Sequence, residues 1–231
     1  MRYNTRNAIS SVKKALNNIQ KDYSGKPLYF INERDIQCRV YAELFEVFNK
    51  PKKVQVNQLK NKKGIKTANN QRTIPLHAEL YQDHRNVKIY RKWKGRFVDL
   101  GIILDNKSFS VTAKHKGKKK DSNSFYGKPK WDPRHTIGIE IKFNDWCFKE
   151  TKDKKNTKWR SFEEMVREDL LKLNDYKRGV FIMVDREGIF SKSEWCEFIH
   201  ELIPKSSRKR RIQTITAYYL SPTKHPKVFA Y

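Results

Sequence analysis

The spacing of apolar residues predicts an α/β chain whose core elements run helix, strand, strand, strand, helix, strand. Three observations carry this prediction. Stretches with apolar residues every three or four positions alternate with short runs rich in Ile and Val. One run, Gly179 to Asp185, is apolar on both faces, as expected of a strand covered from both sides. The chain has 231 residues, 37% of them hydrophobic, enough for a sizeable core, and it shows no internal repeat or clean linker. We therefore read residues 1–231 as one domain, with N-terminal helices within 1–50 and basic insertions at 59–73 and 114–131.

Taken in order, residues 5–22 place Ile9, Val12, Leu16 and Ile19 on one helical stripe, with Thr5 as the expected cap. A second helix is expected over 33–48. Asn32 is its N-cap and Asp35 its third residue, and Ile36, Val40, Leu44 and Val47 form a stripe widened by Tyr41, Phe45 and Phe48. Residues 53–59 alternate as a strand, and 60–72 read as a polar loop. Leu76 to Tyr81 is the first core strand and Arg96 to Ile103 the next; Ser108 to Ala113 alternates again. The stretch 114–131 reads as a lysine-rich loop, and Ile137 to Phe143 as the third core strand.

A polar connection is expected over 144–158. Ser161 and Glu164 then have capping-box spacing, and the helix they open runs to about Asn174, with Phe162, Met165, Val166, Leu170 and Leu173 buried. Residues 179–185 form the fourth core strand. Ser193 caps a helix carrying Trp195, Phe198, Ile199 and Leu202; residues 205–211 make a basic turn, and 212–220 alternate as a last strand.

Lys and Arg number 51 against 25 Asp and Glu, for a formal net charge of +26. A folded domain this basic suits a polyanion, nucleic acid first. A membrane partner is not expected, because no apolar run approaches the roughly 20 residues a spanning helix needs. The N-terminus lacks the apolar core of a signal peptide. Cys38, Cys147 and Cys196 are scattered, with no Cys-x-x-Cys pair, which argues against a zinc site or a disulfide framework and suits the cytoplasm. All three read as buried or half-buried.

The two central strands carry charge where a buried strand should not. Asp99 interrupts Arg96 to Ile103; Glu140 and Lys142 interrupt Ile137 to Phe143 and share one face, opposite Ile139, Ile141 and Phe143. Burying two acids and a base among isoleucines is costly unless they meet each other or a metal. Two carboxylates that can hold a divalent cation, with a lysine that can orient or deprotonate water, make a hydrolytic site for a phosphodiester. His77 and Glu79 also share a strand face, and a satisfied core pair is the simpler reading of them.

This Asp…Glu-x-Lys pattern on adjacent strands resembles the PD-(D/E)XK nuclease superfamily, with Val98 where the superfamily's name has proline. The resemblance implies a restriction-endonuclease-like core: a central mixed sheet of four to five strands flanked by helices. It implies catalytic roles for Asp99, Glu140 and Lys142. It also implies ligation of Mg2+ (or Mn2+) by Asp99, Glu140 and the carbonyl of Ile141, with Glu33 or Glu79 completing the shell. Glu33 is equally explained as an acid favoured by the positive end of a helix. The run Glu168 to Leu173 resembles the superfamily's helix after the Glu-x-Lys strand, which packs on the sheet and can aim Lys172 at substrate.

The expected activity is that of a magnesium-dependent DNA endonuclease: restriction-type, junction-resolving, or phage- or transposon-associated. Cutting both strands of a duplex would suit a homodimer. Lys116, Lys118, Lys119, Lys120, Lys128, Lys130, Arg208, Lys209 and Arg210 are the expected nucleic-acid contacts, with Phe125, Tyr126 or Trp131 available to stack on a base. The alternative is a non-catalytic basic nucleic-acid-binding protein.

Overall fold

The computed structural model describes residues 4–26, 28–53, 72–82, 96–104, 109–110, 113–114, 125–126, 130–131, 133–144, 155–203, 215–222 and 229–231. Helix α1 spans Thr5–Tyr23 and α2 spans Glu33–Phe48. Asn4, not Thr5, caps α1: its extended backbone lets the side-chain oxygen accept from the Arg6 N–H at 2.9 Å. Asn32 and Asp35 form the expected reciprocal capping box on α2. Ile36, Val40, Leu44 and Phe48 make the buried stripe of α2, whereas Val47 is exposed.

Two-residue strands β1 (Lys52–Lys53) and β2 (Arg72–Thr73) pair with each other. The main sheet contains β3 (Leu76–Gln82), β4 (Arg96–Ile103), β9 (Thr136–Asn144), β10 (Arg178–Asp185) and β11 (Ile215–Leu220). A two-residue edge, β12 (Phe229–Ala230), completes the order β12-β11-β10-β9-β4-β3. Strands β9, β10 and β11 run parallel; β3, β4 and β12 pair antiparallel to their neighbours. The sheet is mixed and open, flanked by helices, as expected. Between β4 and β9, strand β5 (Phe109–Ser110) pairs with β8 (Lys130–Trp131), and β6 (Ala113–Lys114) with β7 (Phe125–Tyr126). The expected strand at 108–113 is thus two short pieces, and the stretch after it is not wholly a loop.

Helices α3 (Lys155–Leu173) and α4 (Lys192–Leu202) make the parallel crossovers from β9 to β10 and from β10 to β11. Ser161 lies inside α3 rather than at its cap; Ser is neutral enough within a helix that the capping spacing alone does not end it. Ser191, not Ser193, caps α4, with Glu194 closing the box.

Alternation along the strands sorts the core into two layers. Ile137, Ile139, Ile141, Val180, Ile182 and Val184 pack with α1 and α2. Phe181, Met183, Ala217 and Tyr219 pack with Phe162, Val166, Leu170, Leu173, Trp195 and Ile199 of α3 and α4. Met165, expected in that stripe, is exposed, and Asp169 is buried instead. Gly138 admits the ring of Tyr176, the residue that follows the turn after α3; a Cβ there would stand 2.7 Å from the ring's Cγ. Buried Asp185 ends β10 and organises the next loop. It accepts from Tyr219 Oη (2.5 Å), the Ile189 N–H (2.7 Å), the Glu187 N–H (3.1 Å) and Asn144 Nδ2 (3.3 Å).

Cys38 is exposed, against expectation; a helix position off the apolar stripe puts it in solvent. Cys196 is half-buried and Cys147 lies outside the described residues. Among the described residues, no helix is long and apolar enough to cross a membrane.

Candidate active site at the opening between two strands

The pairing of β4 with β9 runs from Ile103↔Thr136 to Leu100↔Ile139 and stops there. Among the described residues, this edge of β9 has no ladder partner beyond Ile139, and buried backbone donors need acceptors. Carboxylates supply them. Asp99 Oδ2 accepts from the Ile141 N–H at 2.6 Å, and Glu33 Oε2 lies 3.4 Å from the Phe143 N–H. A strand residue's N–H and C=O leave by the same edge, so the Ile141 carbonyl is directed into the same opening. Glu33 arrives from the first turn of α2, a position favourable to an acid.

Glu140 is on the face of β9 covered by α3 and is 3% exposed. Two residues of α3 meet it there. Lys172 Nζ lies 3.2 Å from Glu140 Oε2 and 2.6 Å from Asp169 Oδ1. Lys142 Nζ lies 3.2 Å from Asp169 Oδ2 and 3.8 Å from Glu33 Oε2. Among the described residues, three carboxylates (Glu33, Glu140, Asp169) thus pair with two ammonium groups (Lys142, Lys172), and Asp99 lies near enough to feel Glu33, Asp169 and Lys172, an excess of two acids. Glu140 Oε1 is buried with no hydrogen-bond partner.

The electrostatics follow from this crowding. Burial pushes the Asp99 carboxyl up to about 6 despite the bond from Ile141, and Glu33 and Asp169 add repulsion. Burial raises Glu140 well above the usual carboxylate range; Asp169 raises it further, while Lys172 works the other way. For Lys142, burial disfavours the charged form, but the Asp169 and Glu33 carboxylates outweigh it and the net shift is upward. Lys172 is raised in the same manner by Glu140 and Asp169. Both lysines are ammonium ions at neutral pH.

The structure therefore brings together Asp99, Glu140, Lys142, the Ile141 backbone and Glu33. Sequence reasoning missed Asp169. Its signal was present: an acid three residues after Val166, inside the apolar stripe of a helix facing the sheet. Lys172 turns inward to Glu140 and Asp169. Glu79 lies on β3 between the pairs Ala78↔Leu100 and Leu80↔Val98, level with Asp99; its side chain lies outside the described residues. His77 Nε2 lies 2.7 Å from the Ile74 carbonyl oxygen. Lys130 opens β8, with its side chain outside the described residues. Lys116, Lys118, Lys119, Lys120, Lys128, Arg208, Lys209 and Arg210 lie outside them altogether, as do 54–71 and the whole of the expected basic turn, 205–211.

Comparison with known proteins adds no relative: no family model, no curated protein and no solved structure matches this chain.

Among the described residues the side-chain donors here are carboxylate oxygens, the class a hard divalent cation takes, they outnumber the ammonium groups by two, and Glu140 presents a buried oxygen without a partner. As they are placed, no three of the described acids stand close enough together to hold an ion.

Proposed function

We propose that this protein is a magnesium- or manganese-dependent DNA endonuclease with a PD-(D/E)XK-type site on a restriction-endonuclease-like core. The observation that carries the reading is the gathering of Asp99, Glu140 and Lys142 beside the place where β4 and β9 part: Asp99 and Glu33 accept from N–H groups of β9, and Lys142 and Lys172 link Glu33 and Glu140 through Asp169. Asp99, Glu140 and the Ile141 carbonyl would hold the cation, and Glu33 would add a fourth oxygen. A divalent cation held there would polarise a phosphate and lower the pKa of a bound water.

The chain's own groups do the rest. Lys142, held as an ammonium by Asp169 and Glu33, donates hydrogen bonds to an attacking water and offsets charge growing on the phosphate; its raised pKa favours this role over that of a base. Asp169 sets the position of Lys142 without reaching substrate. The net charge of +26 supplies sequence-independent affinity for a phosphate backbone.

The test incubates purified protein with supercoiled plasmid, linear duplex and branched DNA, in Mg2+ and in EDTA. Mg2+-dependent cutting that Lys142→Ala abolishes while duplex binding survives supports the reading, and the preferred substrate separates the subtypes. Salt-sensitive binding with no cutting in Mg2+ or Mn2+ would favour the second reading, a non-catalytic nucleic-acid-binding protein, which the net charge alone would satisfy.

A further inference from the structure

The ion pairs on α3 carry an inference that rests on the nuclease reading. We propose that Lys172 is a built-in counter-ion for the cation site: its ammonium holds Glu140 while no metal is bound, and yields that carboxylate to the incoming cation by retreating onto Asp169.

Lys172 touches two acids at once, 3.2 Å from Glu140 and 2.6 Å from Asp169. The Asp169 contact is the shorter and lies within one helix, three residues apart, so Lys172 can leave Glu140 and remain paired. Glu140 has no such reserve. It is 3% exposed and its other oxygen has no partner, so without Lys172 it would be a buried acid with no counter-charge beside it. An ammonium and a divalent cation cannot both sit against one buried carboxylate without strong repulsion. Lys142 is differently placed. It pairs with Asp169 and Glu33 and leaves Glu140 alone, which separates a lysine available to substrate from a lysine devoted to the acid. Asp169 serves both, as a positioning residue for each ammonium.

The role predicts opposite effects on stability and on metal affinity, which a purely structural salt bridge would not produce. The full chain is titrated with Mn2+ by paramagnetic resonance, and its melting is followed in EDTA. Lys172→Met should melt lower in EDTA yet bind Mn2+ about tenfold more tightly or better, since one nearby positive charge has gone. Lys172→Arg, which keeps the charge, should bind Mn2+ as the wild type does. Lys172→Gln repeats the Met result in a side chain that can still hydrogen-bond to both acids, should the Met variant not fold. Unchanged or weaker Mn2+ binding in the charge-removing variants, with saturable and Asp99-dependent binding in the wild type, overturns the counter-ion role and leaves the nuclease reading standing. Absence of Asp99-dependent Mn2+ binding in the wild type overturns both.

Discussion

Asp99→Asn should stabilise the metal-free protein at neutral pH while removing the proposed cleavage. Asp99 is held at about 6 in the folded chain against an ordinary 3.8. At about 1.4 kcal/mol per pH unit, that gap corresponds to about 3 kcal/mol which the ionised carboxylate costs the fold well above pH 6. Asp99 is half-buried, and solvent screening trims the figure to about 1–3 kcal/mol. The sign follows from the direction of the shift. A carboxyl raised by folding binds its proton more tightly in the folded state, so the cost is present above about 6 and fades as pH falls toward 3.8. Asn keeps an oxygen to accept from the Ile141 N–H, so the substitution removes charge and not the cap. The assay is thermal melting in EDTA at pH 7.5 and pH 4.5. At roughly 2–4 °C per kcal/mol for a chain of this size, the variant should gain several degrees at pH 7.5. By the same linkage about a third of the gain should remain at pH 4.5. Saturating Mg2+ should narrow the difference by stabilising the wild type alone. A variant that melts at or below the wild type at pH 7.5 in EDTA would refute the account of a desolvated, repelled carboxylate.

Other outcomes follow from the same geometry. Gly138→Ala drives a Cβ to 2.7 Å from the Tyr176 ring and should cost about 1–3 kcal/mol in urea unfolding, part of it recovered by a smaller residue at 176 in the double variant. Asp185→Ala removes the acceptor shared by Tyr219, Asn144 and two backbone N–H groups, and should cost roughly 3 kcal/mol or more while leaving the Mn2+ affinity of the folded protein unchanged. Asp169→Asn should lower the proposed cleavage by releasing Lys142, and the duplex affinity expected on the same proposal, measured by anisotropy, should stay close to that of the wild type.

The strands and helices that form the core were legible because their apolar residues are periodic. Residues 76–81, 96–103, 137–143 and 179–185 stand out as strands, and all four fall in the observed sheet. Errors collected at helix starts, where several residues offer the same chemistry. Thr5 and Ser193 are plausible caps, but Asn4 and Ser191 have the extended backbone and reach the open N–H groups. In α3, Ser161 and Glu164 have the spacing of a box, but the residues before them continue the helix. The edge strand β12 has two residues and leaves no periodic trace. Within the site, Asp99, Glu140 and Lys142 were visible as charges in apolar strands. Asp169 shares the α3 face of Phe162, Val166 and Leu173, so its position was legible, but an acid on an apolar stripe does not by itself show which groups it meets. The partners of Lys172 could not be read from sequence at all, because a salt bridge between a strand and a crossover helix depends on how the two layers register.

The cost of this arrangement bears on its meaning. Extending the β4–β9 ladder by one more bonded step would satisfy the Ile141 N–H with backbone alone, and an apolar residue at 140 would pack under α3 as Phe181 does on the neighbouring strand. Replacing buried ion pairs by apolar side chains is often neutral or stabilising, so the six charged groups at this opening are not explained by stability. They are also concentrated where a strand pair parts, beside a backbone carbonyl, rather than scattered through the core. Local rules broken together at one place are what a chemical site requires, and here the carboxyl groups raised by burial are the ones a cation would relieve. The instability predicted for metal-free wild type relative to Asp99→Asn is therefore the same quantity that, in the proposed enzyme, favours metal binding.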